Sequence, residues 1–153
     1  MKKLLILLSL LLASAAAQAG GLPYDEKADA KAALSGTLEA AQQGRQPVLL
    51  ILGANWCPDC RALDAALSRG KSAELLARAF KVVKVDVGNF DHNLDIDAAY
   101  GHPIAKGIPA AVVLLPDNKV IYATRAGELA DARRMSETGI YEFFERVSRQ
   151  AKQ

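Results

Sequence analysis

The two cysteines of the chain, Cys57 and Cys60, stand three positions apart in the run Trp56-Cys57-Pro58-Asp59-Cys60. Ahead of them lies the apolar run Val48-Leu49-Leu50-Ile51-Leu52, and behind them a segment with helical spacing from Arg61 to Arg69. A Cys-x-x-Cys at a strand-to-helix junction is a redox signature. The first turn of a helix leaves backbone N–H groups without partners and carries partial positive charge. A thiolate is favoured there over a thiol, and the thiolate is the reactive nucleophile. The second sulfur, one turn further on, is placed to close a disulfide with the first. The pair therefore reads as a dithiol–disulfide exchange site, with Cys57–Cys60 as its oxidised form.

Two other uses of a cysteine pair compete with this one. An inert staple is disfavoured because the loop between Cys57 and Cys60 is tiny, and the gain from closing a loop falls with its size. A copper or zinc site would recruit more donors. His92 and His102 have no third ligand near them in sequence, and Met135 is the only methionine outside the first residues. The alternation Asp91-x-Asn93-x-Asp95-x-Asp97 imitates the first half of a calcium loop, but Ile96 and His102 stand where glycine and glutamate are needed. It reads as a solvated acidic turn. No metal and no cofactor is expected.

The elements that position the pair begin after an export signal. Lys2 and Lys3 precede the apolar run Leu4 to Leu12, and Ala17-Gln18-Ala19 fits a cleavage site. The apolar core is too short to span a bilayer. Residues 1–19 are thus expected to be removed, leaving one domain over 20–153 in the periplasm or secreted. The signal takes two of the 19 basic residues and none of the 17 acidic ones. What remains is balanced in charge, which weighs against a nucleic-acid surface. No stripe suggests an obligate dimer, and a monomer is expected.

Gly20 to Asp29 reads as an extended lead-in. Leu34, Leu38 and Ala41 give a helix over 30–43 with Gly44 as its C-terminal cap. Pro47 opens a strand over 48–53 whose unbroken apolar character indicates burial on both faces. Ala54-Asn55 turn into the helix that carries the cysteines, which Gly70 should end. A helical piece over 72–80 and a strand over 81–87, parallel to the first, follow. A short helix is expected over 94–100 and a strand over 111–115. The turn Pro116-Asp117-Asn118-Lys119 leads to a returning strand over 120–124. Residues 125–135 read as loop with one helical turn, and Arg133-Arg134 as a surface charge pair. Ile140, Phe143, Phe144 and Val147 then mark a last helix starting near Ser136 or Thr138.

This order, with Trp-Cys-x-x-Cys after the first central strand and Gly107-Ile108-Pro109 before the hairpin, resembles the thioredoxin superfamily. Within it, Gly53-Ala54-Asn55-Trp56-Cys57 is similar to the periplasmic thiol–disulfide interchange proteins. The resemblance covers residues 30–149 and implies an α/β fold, a mixed central sheet flanked by helices, here with an extra N-terminal helix. It implies a cis peptide bond before Pro109, with Pro109 against the cysteine pair and Ile108 offering backbone groups to an extended substrate. Gly127 sits where such proteins commonly place a glycine. Two departures stand out. The position of the usual buried carboxylate, six before the first cysteine, is Ile51. Lys84 and Asp86 on the next strand read as an edge salt bridge, or as substitutes for that acid. The segment from Tyr100 to Gly107 is longer than the matching turn and is expected to reshape the groove rim.

In this frame Cys57 is the attacking nucleophile, with an accessible sulfur, and Cys60 the more covered resolving thiol. Pro58 removes a donor and stiffens the first turn. Asp59 is expected near the Cys57 sulfur, where like charge disfavours the thiolate and makes a weak oxidant, with Arg61 offsetting part of the effect by folding back. Trp56 covers the thiols and touches substrate, a core role being the alternative; Asn55 serves the turn. The function implied is a thiol–disulfide oxidoreductase reducing or exchanging disulfides in exported proteins, fed by a membrane or soluble dithiol donor. The alternative is a non-catalytic binding module or copper carrier on the same fold.

Overall fold

The computed structural model describes residues 21–151. The expected signal over 1–19 lies outside them. Helix α1 (Ala30–Gly44) is followed by β1 (Val48–Gly53), α2 (Pro58–Leu67), α3 (Gly70–Ala79) and β2 (Lys81–Asp86). Then come α4 (Leu94–Ala99), a 3₁₀ turn at Pro103–Lys106, β3 (Ala110–Leu114), β4 (Val120–Ala123), a second 3₁₀ turn at Ala132–Arg134, and α5 (Glu137–Gln150).

The four strands form one mixed sheet in the order β2-β1-β3-β4. β1 runs parallel to β2 and antiparallel to β3, so Leu50 lies beside Val83 on one flank and Val112 on the other. All six residues of β1 and all five of β3 are buried, which is why neither shows the alternation of a half-exposed strand. The alternate side chains of β1 serve two apolar layers. Leu50 and Leu52 pack with Leu34 and Ala41 of α1, while Leu49 and Ile51 pack with Leu63, Leu75, Phe143 and Phe144 from α2, α3 and α5. The expected N-terminal helix thus covers one face, and the helix carrying the cysteines contributes to the other.

Several local expectations are corrected. Gly44 is the last residue of α1; Arg45 takes the left-handed conformation (φ 51°), and its N–H bonds the Ala41 and Gln42 carbonyls. Gly70 opens α3, with φ 55° at the corner between two helices, and Ser68 caps α2. The hairpin strands lie at 110–114 and 120–123, where 111–115 and 120–124 are expected. Thr124 extends their contact beyond the ladder: its N–H donates to the Ala111 carbonyl at 2.9 Å, and its Oγ1 accepts the Ala111 N–H at 3.1 Å. Asp97 is not part of a solvated turn. It is 5% exposed, its carboxylate accepts the Ile104 N–H at 3.1 Å, and it contacts His102 Nδ1 at 2.9 Å. One buried carboxylate therefore shapes the segment from Tyr100 to Gly107.

Candidate active site

The polypeptide leaves β1 at Gly53, turns through Ala54, Asn55 and Trp56, and enters α2 at Pro58. Cys57 is the N-cap, in extended conformation (φ −73°, ψ 117°), and Pro58 occupies the first helical turn. Helix starts need a side-chain acceptor for an unpaired N–H, a place usually filled by serine, threonine or aspartate. Here the Cys57 sulfur fills it, accepting the Cys60 N–H at 3.1 Å. On its other side the Cys57 thiol donates to the Ile108 carbonyl at 3.6 Å. The Ile108–Pro109 peptide bond is cis. Gly127, with φ 74°, closes this side: a Cβ there would lie 2.7 Å from the Lys106 carbonyl oxygen.

Both cysteines are free thiols, and both are buried, Cys57 at 3% exposure and Cys60 at 1%. Cys60 is the more covered, but the open sulfur expected at Cys57 is not seen. The sulfur is enclosed because it caps its own helix and meets the Ile108 loop. Burial pushes the Cys60 thiol pKa far up, and the neighbouring Cys57 sulfur adds to this; the Ala54 backbone and the Tyr24 hydroxyl pull the other way.

The flanking residues differ from expectation in direction. Trp56 is 51% exposed, so it is not a core residue. Its indole N–H donates to the Gly88 carbonyl at 2.8 Å, and its ring meets Phe90 edge-on with centroids 6.2 Å apart. The Asp59 carboxylate is engaged elsewhere: it accepts the Arg133 backbone N–H at 3.0 Å, and the Arg133 Nε lies at 3.6 Å. Arg133 is therefore not half of a free surface pair, and it sets a cation against the Asp59 carboxylate. Arg61 does fold back, but onto the Asn55 carbonyl at 2.7 Å. Lys84 pairs with Asp64 of α2, not with Asp86. Asp86 instead accepts the Gly88 N–H at 2.9 Å and holds the turn that bears Phe90.

Ile51 is buried, and the space behind Cys60 is a cavity of about 10 Å³ lined by Tyr24, Ile51, Cys60, Leu63, Asp64, Leu67 and Lys84. Sequence reasoning does not single out Tyr24, and it gives Asn55 a role in the turn alone. Asn55 accepts the Tyr24 N–H at 3.0 Å and donates to the Tyr24 carbonyl at 2.9 Å and to Glu26 at 2.8 Å. One signal pointed to this contact. Gly53 ends a central strand, and a strand glycine marks close approach by another group. Among the described residues no three of His, Cys, Asp and Glu converge as metal ligands. Met135 packs in the other apolar layer from the cysteines.

A dithiol with one sulfur capping a helix and the other buried one turn along can exchange disulfides. The sequence profile of a family described as thioredoxin-like matches residues 29–116. A crystal structure described as a disulphide isomerase from Xylella fastidiosa Temecula1 is 54% identical over 85% of this chain and 99% of its own, with a TM-score of 0.83. A DsbH oxidoreductase is 17% identical over 77% of this chain and 81% of its own, with a TM-score of 0.57. A thioredoxin from Thermus thermophilus is 20% identical over 77% and 82%, with a TM-score of 0.54. The last two likenesses speak to the fold alone. No curated protein matches the chain.

Proposed function

The chain belongs to the thioredoxin-like family and is a thiol–disulfide oxidoreductase, and we propose that it reduces or rearranges disulfides of exported proteins, with Cys57 as nucleophile and Cys60 as resolving thiol. The observation that carries this reading is the Cys57 sulfur at the α2 N-cap, holding the Cys60 N–H at 3.1 Å. The same donor that satisfies the helix start stabilises negative charge on that sulfur. The Cys57 thiolate attacks one sulfur of a substrate disulfide, forming a Cys57–substrate bond and expelling the other substrate sulfur. Cys60 then gives up its proton and attacks Cys57. The Cys57–Cys60 bond forms as the mixed disulfide breaks. Two electrons pass to the substrate, and the two thiol protons end on its two sulfurs. A dithiol donor, membrane-bound or soluble, restores the reduced pair.

Burial supports the exchanging side of this activity. A Cys60 held protonated resolves slowly, which lengthens the life of the mixed disulfide. A second substrate thiol then has time to attack it, and the outcome is rearrangement. The relative described as a disulphide isomerase fits that reading. For attack, the Cys57 thiol must leave the Ile108 carbonyl, which frees that carbonyl for an extended substrate backbone. Trp56, next to Cys57 in the chain, and Phe90 supply an exposed aromatic edge. The chain acts as a monomer in the periplasm or outside the cell. Insulin reduction followed by turbidity tests the activity: the wild-type chain precipitates the insulin B chain in the presence of dithiothreitol, and Cys57→Ser falls to the dithiothreitol background. Activity retained in Cys57→Ser would defeat the assignment.

A further inference from the structure

We infer that Tyr24 is a further catalytic residue of this dithiol, its hydroxyl donating a hydrogen bond to the Cys60 sulfur as that sulfur becomes a thiolate in the resolving step. The inference rests on the dithiol-exchange reading above and assigns the group that serves its second half.

The geometry comes from three elements. The phenol oxygen of Tyr24 and the Cys60 sulfur converge over the Cα of Gly53: a Cβ built there would lie 2.2 Å from the hydroxyl and 2.9 Å from Sγ. Tyr24 is 4% exposed, and its backbone is gripped in both directions by the Asn55 side chain. Asn55 belongs to the turn that delivers Cys57, so one residue fixes both the nucleophile's loop and the tyrosine behind the resolving thiol. Tyr24 also lies upstream of the family-matched residues 29–116, and β1 offers only Ile51 to the cavity behind Cys60.

The chemistry of a phenol suits that place. Burial, and then the nearby Cys60 and Cys57 sulfurs, push the Tyr24 pKa far above its ordinary value. The hydroxyl therefore keeps its proton at every working pH and serves as a donor. A sulfur anion forming in a water-poor pocket needs such a donor, because unpaired buried charge is costly. The other groups around Cys60 are the Ala54 backbone, the Cys57 sulfur, and the paired Asp64 and Lys84 at the cavity. The step balances without further reagents. Cys60 loses its proton, its sulfur bonds to Cys57, the Cys57–substrate bond breaks, and the expelled substrate sulfur takes up a proton.

The test uses the reduced full chain and 5,5′-dithiobis(2-nitrobenzoate) in a stopped-flow spectrometer. The first release of nitrothiolate reports attack by Cys57, and the second reports attack by Cys60 on the mixed disulfide. In Tyr24→Phe, which keeps the ring, the ratio of second to first rate falls by about tenfold, equivalent to ~1.4 kcal/mol, and the pH midpoint of the second step moves up. Asn55→Ala, which loosens the tyrosine without removing its hydroxyl, lowers the ratio in the same direction. An unchanged ratio and midpoint in Tyr24→Phe would overturn the inference. Absence of a second release from the wild-type chain would instead count against dithiol exchange itself.

Discussion

Alanine at Gly53 is the sharpest structural perturbation of the site. In a strand, Gly→Ala normally stabilises by about 0.4–1 kcal/mol, because the unfolded chain loses freedom. Here the new Cβ would lie 2.2 Å from the Tyr24 hydroxyl oxygen, 2.6 Å from its Cζ and 2.9 Å from the Cys60 sulfur. Neither neighbouring residue yields easily, and the strand itself is fixed. β1 is held by pairing to β2 and β3, and the Gly53 carbonyl accepts the Val87 N–H at 2.8 Å. Tyr24 is gripped by Asn55, and Cys60 sits in the first turn of α2. Overpacking of this kind costs about 1–3 kcal/mol, which exceeds the entropic gain, so the net effect is destabilising. Urea unfolding of the reduced protein reads it as a lower midpoint at unchanged slope. In a Tyr24→Leu background the clashing oxygen and Cζ are gone, and the Gly53→Ala cost shrinks. The two substitutions are then coupled by about 0.5–3 kcal/mol. Strictly additive costs, or a Gly53→Ala midpoint at or above wild type, would refute the packing described for Tyr24 and Cys60.

Three further outcomes follow from the same structure. The Cys60 pKa is raised in the fold by burial, so its contribution to stability is complete below the ordinary thiol value of 9.0 and is lost as pH rises above it. Thermal melts should show the reduced chain weakening relative to the oxidised chain above that pH; parallel curves would contradict it. The reduction potential, measured against glutathione, should lie below about −180 mV, well away from the strongly oxidising value near −120 mV, since the Cys57 sulfur accepts one backbone N–H, that of Cys60, among the described residues. Ser136 accepts the Gly139 N–H at 3.0 Å as the N-cap of α5, and Ser136→Ala should cost about 0.5–2 kcal/mol in chemical unfolding.

What could be read from the sequence was what local pattern dictates. Val48 to Gly53 is apolar throughout because both faces of β1 are covered. Ile140, Phe143, Phe144 and Val147 repeat at helical spacing because one face of α5 meets the core. Cys57 and Cys60 announced themselves by spacing and by the Pro58 that follows the cap. The rest depended on partners distant in the chain. Asp59 could not be aimed without knowing that Arg133, 74 positions away, donates to it. Tyr24 lies in a lead-in without periodicity, and its anchor Asn55 is 31 positions on. Asp97 lies in an alternating acidic run whose spacing suggests a solvated turn, whereas its carboxylate is buried against the Ile104 N–H.

In the proposed mechanism the Cys57 sulfur makes the bond to substrate. Cys60→Ala, reduced and then mixed with a disulfide-bonded protein, should accumulate a covalent adduct, and peptide mass mapping should place the bond at Cys57. No adduct with Cys60→Ala, together with a stable adduct at Cys60 in Cys57→Ala, would reverse the roles of the two sulfurs.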